Sequence, residues 1–218
     1  HIYGLPVEMN PILNLAKKYN IRIIEDAAEM HGQTYNGFPC GSFGDISTFS
    51  FYPNKHITTG EGGMIVTNNE DLYKKCRSLR NLCFGEKDRF IHNNIGWNMR
   101  MTNMQAAVGL AQLERLDEFV KIKRMMGKLY TDYFSDIGEI QLPLEKTDYA
   151  DNIYWVYGIV IKDSCKYNAD KIIKMLKQES VECRPFFFPM HMQPVYKKMN
   201  IFNIKRYPIS EKISKKGF

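Results

Sequence analysis

Apolar positions along the first third of the chain recur with the spacings of helices and strands in alternation. Residues 11–19 carry apolar side chains at three- and four-residue intervals, which predicts a short helix with Ile12, Leu13, Leu15 and Ala16 on its buried side. Asn69 begins a second helix that we expect to end near Leu79. Three short apolar runs predict strands, at residues 21–25, 46–52 and 63–67. This alternation favours an α/β fold with a mostly parallel sheet covered on both faces.

The second half of the chain predicts a long helix and then a smaller domain. Thr102 and Gln105 have the spacing of a capping box, and the stripe from Leu113 to Lys123 is typical of a core or dimer contact. The segment Leu142–Leu144 marks the passage between domains, so we assign 1–145 to a large α/β domain and 146–218 to a smaller α+β domain. Within the smaller domain we predict two strands and the helix between them, at residues 154–161, 169–178 and 181–184.

Composition excludes several classes of protein. The 218 residues are 44% hydrophobic, yet they contain no run of eighteen apolar residues, so no membrane span is expected. Five cysteines without C-x-x-C spacing predict neither a zinc site nor a disulfide framework, and they suit a reducing cytoplasm. The five histidines are scattered, and we expect no metal. The net charge of +6 lacks the basic stripe with exposed aromatic residues that nucleic-acid binding needs.

An acid and a lysine stand just beyond the ends of two predicted strands. Asp26 follows the strand at 21–25, and Lys55 follows the strand at 46–52 together with a turn rich in threonine and glycine. Ligands of α/β sheets sit at the carboxyl ends of strands, so these side chains are expected at one site.

A lysine amine can form a Schiff base with an aldehyde, and an aspartate can hold the proton of a pyridine nitrogen. The hydroxyl of Ser50 and the backbone amides of the turn can bind phosphate. These groups suit pyridoxal phosphate (PLP).

Each of these residues also has a structural interpretation. An aspartate after an apolar strand is most often a turn or cap residue, a loop lysine is usually solvated, and Gly60–Gly63 is typical of a turn. The ordered combination favours a site, but the spacing alone does not single out PLP.

The same segments resemble a known family. The chain is similar to the DegT/DnrJ/EryC1/StrS sugar aminotransferases over nearly its whole length. Within this family it most resembles the branch that makes GDP-perosamine. The resemblance rests on four segments, at residues 25–29, 50–63, 95–107 and 184–194.

The resemblance implies a fold and an activity. The fold is the C-terminal part of an aspartate-aminotransferase-like (type I PLP) large domain, followed by a smaller α+β domain. The activity is PLP-dependent transfer of an amino group, with glutamate as donor, to a 4-keto-6-deoxy sugar carried on a nucleotide. A cytoplasmic homodimer with shared active sites is also implied, without nucleic-acid or membrane partners.

The resemblance also assigns roles to single residues. Lys55 forms the link to the cofactor and moves the proton, and Asp26 pairs with the pyridine nitrogen. Glu29 stands where the family often has glutamine, beside the phenolic oxygen of the cofactor. Ser50 contacts the phosphate, and Asn98 reaches the phosphate of the cofactor in the neighbouring subunit. Two further residues, Arg184 and His191, are expected near the substrate.

Two alternatives to this activity stay open. One is a PLP-dependent keto-sugar dehydratase, whose family branch has histidine where this chain has Lys55; here the histidine is the next residue, His56. The other is a non-catalytic fragment or relic. His1–Met9 resembles a mid-chain segment of the family and the end stops where relatives continue, so we expect a chain truncated at both ends.

Overall fold

The computed structural model describes residues 1–85, 90–202 and 206–218, and it divides the chain into two compact units. The first unit comprises residues 1–127 and 145–156, and the second comprises residues 128–144 and 157–218. Both contain helices and short strands, so the chain is mixed α/β as the sequence predicts. The assignment of residues 1–145 and 146–218 to two domains stays a prediction.

The described residues of the first unit form three helices, part of a fourth, and five short strands. In chain order they are α1 (Met9–Tyr19), β1 (Ile24–Asp26), β2 (Thr34–Tyr35), β3 (Phe38–Pro39), β4 (Ile46–Ser50), β5 (Gly63–Val66), α2 (Glu70–Arg80), α3 (Asn103–Leu113) and α4 (Leu116–Phe134). Asn20 ends α1 in the left-handed conformation. The side chain of Asn69 caps α2, and Thr102 forms the expected capping box with Gln105 at the start of α3.

The main sheet has the strand order β1-β4-β5. Strand β1 runs parallel to β4, whereas β5 runs antiparallel to β4, so the expectation of a mostly parallel sheet is wrong for this part of the chain. The reason is the connection: residues 51–62 return as a loop without a crossover helix, and only a crossover can place the next strand parallel. Beside the sheet lies a core of five buried residues: Met9, Ala27, Met30, Tyr35 and Cys40.

Two features of the helices differ from the prediction. Of the α1 residues expected to be buried, Leu13 and Ala16 are half-buried and Leu13 packs against the core. Ile12 and Leu15 are exposed, because no described residue covers their face of the helix. The long helix predicted after Thr102 is interrupted by a turn at Glu114 and Arg115, which separates α3 from α4. At the start of α4, Leu116 and Val120 pack against Gly32.

In the second unit, the part that the structure describes contains the last turns of α4 and six further elements. They are β6 (Ile140–Gln141), β7 (Val160–Ile161), α5 (Ala169–Gln178), a 3-10 helix (Met190–Met192), α6 (Pro194–Lys198) and α7 (Pro208–Lys216). Helix α5 has the predicted bounds, and Asn168 caps it. The predicted strand at 154–161 is reduced to β7, which pairs with β6, and residues 181–184 form no strand with any described residue.

Candidate active site

The carboxyl ends of β1 and β4 meet at one edge of the sheet. The two strands are parallel with Asp26 opposite Thr48, and the backbone N–H of Ala27 continues the pairing by donating to the Thr48 carbonyl at 2.9 Å. The chain therefore leaves β1 toward Glu29 and leaves β4 toward Lys55 at the same edge. This is where the sequence predicts a ligand site.

Neighbouring carboxylates at the end of β1 have different environments because side chains alternate between the faces of a strand. Glu25 is buried, and its carboxylate accepts hydrogen bonds from the backbone N–H groups of Gly41, Phe43 and Gly44. It also accepts from the Ser47 hydroxyl at 3.3 Å. Glu25 thus fixes the loop before β4, whereas the next residue along β1 is directed to the opposite face.

Asp26 is that next residue, and it is exposed. Its carboxylate accepts a hydrogen bond from the backbone N–H of Ala28 at 3.1 Å. No described side chain forms an ion pair with it, so the carboxylate can accept a proton-bearing nitrogen of a ligand.

The loop that carries Lys55 is held at both ends by hydrogen bonds. The N–H of Phe51 donates to the Gly62 carbonyl at 2.9 Å, and the N–H of Thr59 donates to the Phe51 carbonyl at 3.1 Å. Gly60 adopts a φ of +78°, which favours glycine. From α3, the side-chain amide of Gln112 bonds both the N–H and the carbonyl of Thr58, at 3.1 and 2.7 Å.

A later segment of the chain closes over the same loop. The indole N–H of Trp155 donates to the Asn54 carbonyl at 2.9 Å, and a ring nitrogen of His56 lies 3.0 Å from the Ile153 carbonyl. The residues on both sides of Lys55 are therefore fixed by backbone and ring contacts to residues 153–155.

The Lys55 amine lies between a carboxylate and an aromatic ring. Its Nζ is 3.8 Å from Glu29 Oε1 and 3.9 Å from the centre of the Trp155 ring, and only 9% of its side chain is exposed. The other oxygen of Glu29 accepts a hydrogen bond from the Tyr3 N–H at 2.6 Å. Asp26 also interacts electrostatically with the Lys55 amine.

Burial shifts both members of this pair toward their neutral forms. Burial lowers the pKa of Lys55 below its ordinary value, although the charges of Glu29 and Asp26 oppose the shift. Burial likewise raises the pKa of Glu29, against the effects of the Tyr3 N–H and of Lys55. A lowered lysine pKa increases the fraction of neutral amine, which is the nucleophilic form.

The structure thus brings together Asp26, Glu29 and Lys55, but the other predicted site residues have no described contact with this group. Ser50 ends β4 and its hydroxyl accepts a hydrogen bond from the Tyr52 N–H at 3.3 Å. Asn98 is exposed, and its side-chain oxygen accepts from Arg100 at 2.9 Å.

The two residues expected near the substrate belong to the second unit. Arg184 is exposed, and its guanidinium makes no hydrogen bond or ion pair with a described residue. His191 Nε2 lies 3.2 Å from Glu211 Oε1, and its ring centre is 4.7 Å from that of Tyr207. His191 therefore joins the 3-10 helix to α7, a structural contact that the sequence did not predict.

Sequence reasoning missed two residues that lie close to Lys55. Trp155 was assigned only to a strand. His31 was treated as a scattered histidine, yet it is buried with its ring centre 5.5 Å from each of Phe49 and Phe51. Neither ring nitrogen of His31 has a partner among the described residues, and burial lowers the pKa of His31 to about 4. Only the position of His31 just after the Asp26 and Glu29 segment could have indicated its place.

Two other classes of site find no support in the described chain. Residues 1–85, 90–202 and 206–218 contain no group of three or more histidine, cysteine or acidic side chains placed to hold a metal ion. None of the helices in these ranges is both long and apolar enough to cross a membrane.

Comparison with known proteins identifies the family. The sequence pattern of the DegT/DnrJ/EryC1/StrS aminotransferase family matches residues 1–218. The chain belongs to this family. Members of the DegT/DnrJ/EryC1/StrS family depend on PLP. The predicted family and the predicted aspartate-aminotransferase-like fold class are therefore confirmed.

The relatives of known name include several GDP-perosamine synthases. The protein from Caulobacter vibrioides is 40% identical over 205 residues, which cover 94% of this chain and 55% of the relative. The protein from Escherichia coli O157:H7 is 39% identical over 217 residues, which cover 100% of this chain and 57% of the relative. The chain thus spans little more than half the length of the curated relatives that it matches.

Solved structures of the family have the same fold. An aminotransferase of this family from Brucella abortus has a TM-score of 0.85 at 27% identity, over 99% of this chain and 56% of that one. PseC of Helicobacter pylori, an aminotransferase involved in the biosynthesis of pseudaminic acid, has a TM-score of 0.88 at 26% identity. That match covers 99% of this chain and 58% of PseC.

The residues present in the first unit fit PLP by their chemistry. Lys55 offers an amine of lowered pKa to an aldehyde, and the exposed Asp26 carboxylate can accept the pyridine N–H. Glu29 lies beside the same amine, where a carboxyl of raised pKa can share a proton with a phenolic oxygen. The Ser50 hydroxyl stands at the end of the neighbouring strand, and a hydroxyl can hydrogen-bond to a phosphate oxygen.

Glu29→Gln tests the electrostatic part of this site. The substitution keeps an acceptor for the Tyr3 N–H but removes the negative charge 3.8 Å from the Lys55 amine. Because that charge favours the ammonium form, we expect the pKa of Lys55 to fall further. The measurement is the pH profile of Lys55 acetylation, followed by peptide mass spectrometry, whose midpoint should move to lower pH. Glu61→Gln, at an exposed loop position, is the control. An unchanged or higher midpoint for Glu29→Gln would contradict the pairing.

Proposed function

We propose that the full-length protein transfers an amino group from glutamate to a 4-keto-6-deoxy sugar carried on a nucleotide. The observation that carries the proposal is the Lys55 amine, which lies beside Glu29 and within the field of Asp26 at the edge where β1 and β4 end. Among the named relatives, three GDP-perosamine synthases are 35–40% identical to this chain. A GDP-linked sugar, giving GDP-perosamine, is therefore the first substrate to test.

In this reaction the residues of the site have separate tasks. PLP, when bound, supplies an aldehyde that reacts with amines and a ring that accepts electrons from the reacting carbon. Asp26 holds the proton of the ring nitrogen, and Glu29 shares a proton with the phenolic oxygen. Lys55 Nζ accepts the proton of the donor amino acid and returns it to the acceptor, a role for which its lowered pKa suits it.

Trp155 and Ser50 orient these groups. The Trp155 ring, fixed by the Asn54 carbonyl, covers one side of the Lys55 amine and excludes water from it. Ser50 anchors the phosphate. Arg184 and His191 are proposed substrate contacts, and His191 would act while held by Glu211.

We also propose that the protein acts as a homodimer in which Asn98 completes the site of the neighbouring subunit. Large apolar side chains surround Asn98 on its exposed segment, including Ile95, Trp97 and Met99. Such a cluster is typical of a protein–protein interface. The five free cysteines suit the cytoplasm, which is the proposed location.

The test is an assay of the full-length protein with PLP, glutamate and a panel of nucleotide-linked keto sugars. We expect 2-oxoglutarate to form together with an amino sugar of the corresponding mass, and to form fastest with GDP-4-keto-6-deoxymannose. A deoxy product accompanied by release of ammonia would identify a dehydratase instead. No turnover with any member of the panel would favour a non-catalytic relic.

A further inference from the structure

A small cavity lies beside Lys55, between the lysine loop and α4. It has a volume of about 210 Å³, and it is lined by Asn54, Lys55, His56, Phe119, Ile122, Lys123 and Trp155. This volume is below the several hundred Å³ typical of pockets for drug-sized ligands. The cavity can hold a small ion with a short carbon chain but not a nucleotide.

Basic side chains dominate the charge of this cavity. Besides Lys55, the lining includes His56 and Lys123 and contains no carboxylate. Glu29 lies 3.8 Å from the Lys55 amine and Asp26 also interacts with it, but neither acid lines the cavity. Lys123 projects from α4, is half-buried, and has no hydrogen bond or ion pair with any described residue. A buried ammonium without a partner is costly, so an anionic ligand would stabilise this arrangement.

His56 adds a second polar group without a partner. One ring nitrogen lies 3.0 Å from the Ile153 carbonyl, so it carries a hydrogen, and the other, Nδ1, is buried with no partner among the described residues. Burial lowers the pKa of both His56 and Lys123, and the Lys123 and Lys55 charges contribute to the shift at His56. An anion in the cavity would oppose these shifts.

The wall of the cavity is largely apolar. The hydrogen bond from Trp155 to Asn54 fixes the indole, and Phe119 and Ile122 form the side that belongs to α4. Rings and methylene groups in the wall suit the carbon chain of an organic acid. Because Lys123 is half-buried, the attraction between its ammonium and a carboxylate is stronger here than at the fully exposed surface.

We propose that this cavity binds the carboxylate of a small organic acid, with Lys123 as its counter-ion. Lys123 supplies one positive charge that no acid among the described residues neutralises, and this matches a carboxylate rather than a doubly charged phosphate. Because the cavity adjoins the Lys55 amine, we assign the bound acid as the amino donor, and this assignment rests on the proposed function. Binding of the carboxylate itself does not depend on that function.

The test is calorimetric titration of the full-length protein with glutarate, a dicarboxylate that has no amine to react. Lys123→Gln should weaken glutarate binding by at least about tenfold, since hydrogen bonds to charged groups are strong. Lys121→Gln removes the same charge from an exposed position of the same helix and should leave binding unchanged. Lys123→Arg keeps the charge and should retain most of the affinity, which separates charge from folding. Equal glutarate affinity in Lys123→Gln and the parent protein, or no binding to the parent, would overturn the proposal.

Inorganic phosphate is the second ligand to titrate. If phosphate binds more tightly than glutarate and depends on Lys123, the cavity is a phosphate site and the carboxylate assignment is wrong. In an active enzyme, Lys123→Gln should raise the KM for glutamate about tenfold and leave the KM for the keto sugar unchanged. Lys123-dependent glutarate binding in an inactive protein would support the cavity and reject the proposed activity. An active Lys123→Gln enzyme with an unchanged KM for glutamate would support the proposed activity and reject the cavity as the donor site.

Discussion

Replacement of Lys55 with alanine is expected to abolish the visible absorbance of the full-length protein mixed with PLP. The amine that the substitution removes belongs to a side chain that is only 9% exposed. It lies 3.8 Å from Glu29 and has a lowered pKa, so it is the group suited to react with the aldehyde. Because the same amine is proposed to carry the proton, activity should fall by about 10²- to 10⁴-fold or more. The measurements are the absorbance spectrum and the rate of 2-oxoglutarate formation.

Two matched variants separate amine chemistry from charge and from folding. Lys55→Arg keeps a positive charge beside Glu29 but cannot form the link with the aldehyde, so it should be as inactive as Lys55→Ala. Lys74→Ala, at an exposed position of α2, should have the parent spectrum and rate. Turnover near the parent rate by full-length Lys55→Ala would show that another residue is the nucleophile.

The second large effect is expected on stability, from Glu25→Ala. The Glu25 carboxylate is buried and accepts hydrogen bonds from three backbone N–H groups of the loop before β4. Removing it leaves these donors without a partner in the interior. The free energy of unfolding of the full-length protein should fall by roughly 3–5 kcal/mol, as measured by urea denaturation.

Two control variants show how much of the stability lost in Glu25→Ala comes from the size of the side chain and how much from its charge. Glu25→Gln keeps the size and one acceptor, so the loss should be smaller, roughly 1–3 kcal/mol. Glu8→Ala removes an exposed acid whose side chain makes no capping bond to α1, so its effect should stay within about 0.5 kcal/mol. A loss for Glu25→Ala no larger than that for Glu8→Ala would mean that the loop does not need the carboxylate.

The sequence was sufficient to predict that Asp26 and Lys55, which follow the ends of two strands, belong to one site. Asp26 and Lys55 come just after apolar runs, and parallel strands bring such positions to one edge of a sheet. The pairing of β1 with β4 accounts for their proximity. Local signals also predicted where α2 and α3 begin, because capping residues act over three or four positions.

The remaining parts of the site depend on contacts distant in sequence. Trp155 reaches Asn54 across 101 positions, and His56 reaches Ile153 across 97. No periodicity within a strand or helix indicates such a partner. Lys123 illustrates the same limit: its position in an apolar stripe predicted a core or dimer contact but not a half-buried ammonium lining a cavity.

The wrong predictions about elements have a related cause. Residues 181–184 have a strand-like composition, but a strand requires a partner to pair with, and none lies beside them among the described residues. Ile12 and Leu15 were predicted to be buried because their side chains are apolar, yet both are exposed. Hydrophobic pattern indicates which face of an element can be buried, and only the surrounding chain decides whether it is.

The return of residues 151–155 to the lysine loop has a consequence for the order of assembly. Gln33 donates to the Asp151 carbonyl, 118 positions away, and the Asn54 and His56 contacts span similar separations. On the ribosome, Lys55 therefore emerges long before the tryptophan that will cover its amine. A nascent chain that stops short of Asp151 already contains Lys55 but not yet Trp155. Its lysine amine is therefore open to aldehydes in the cell, whereas the folded protein covers the same amine.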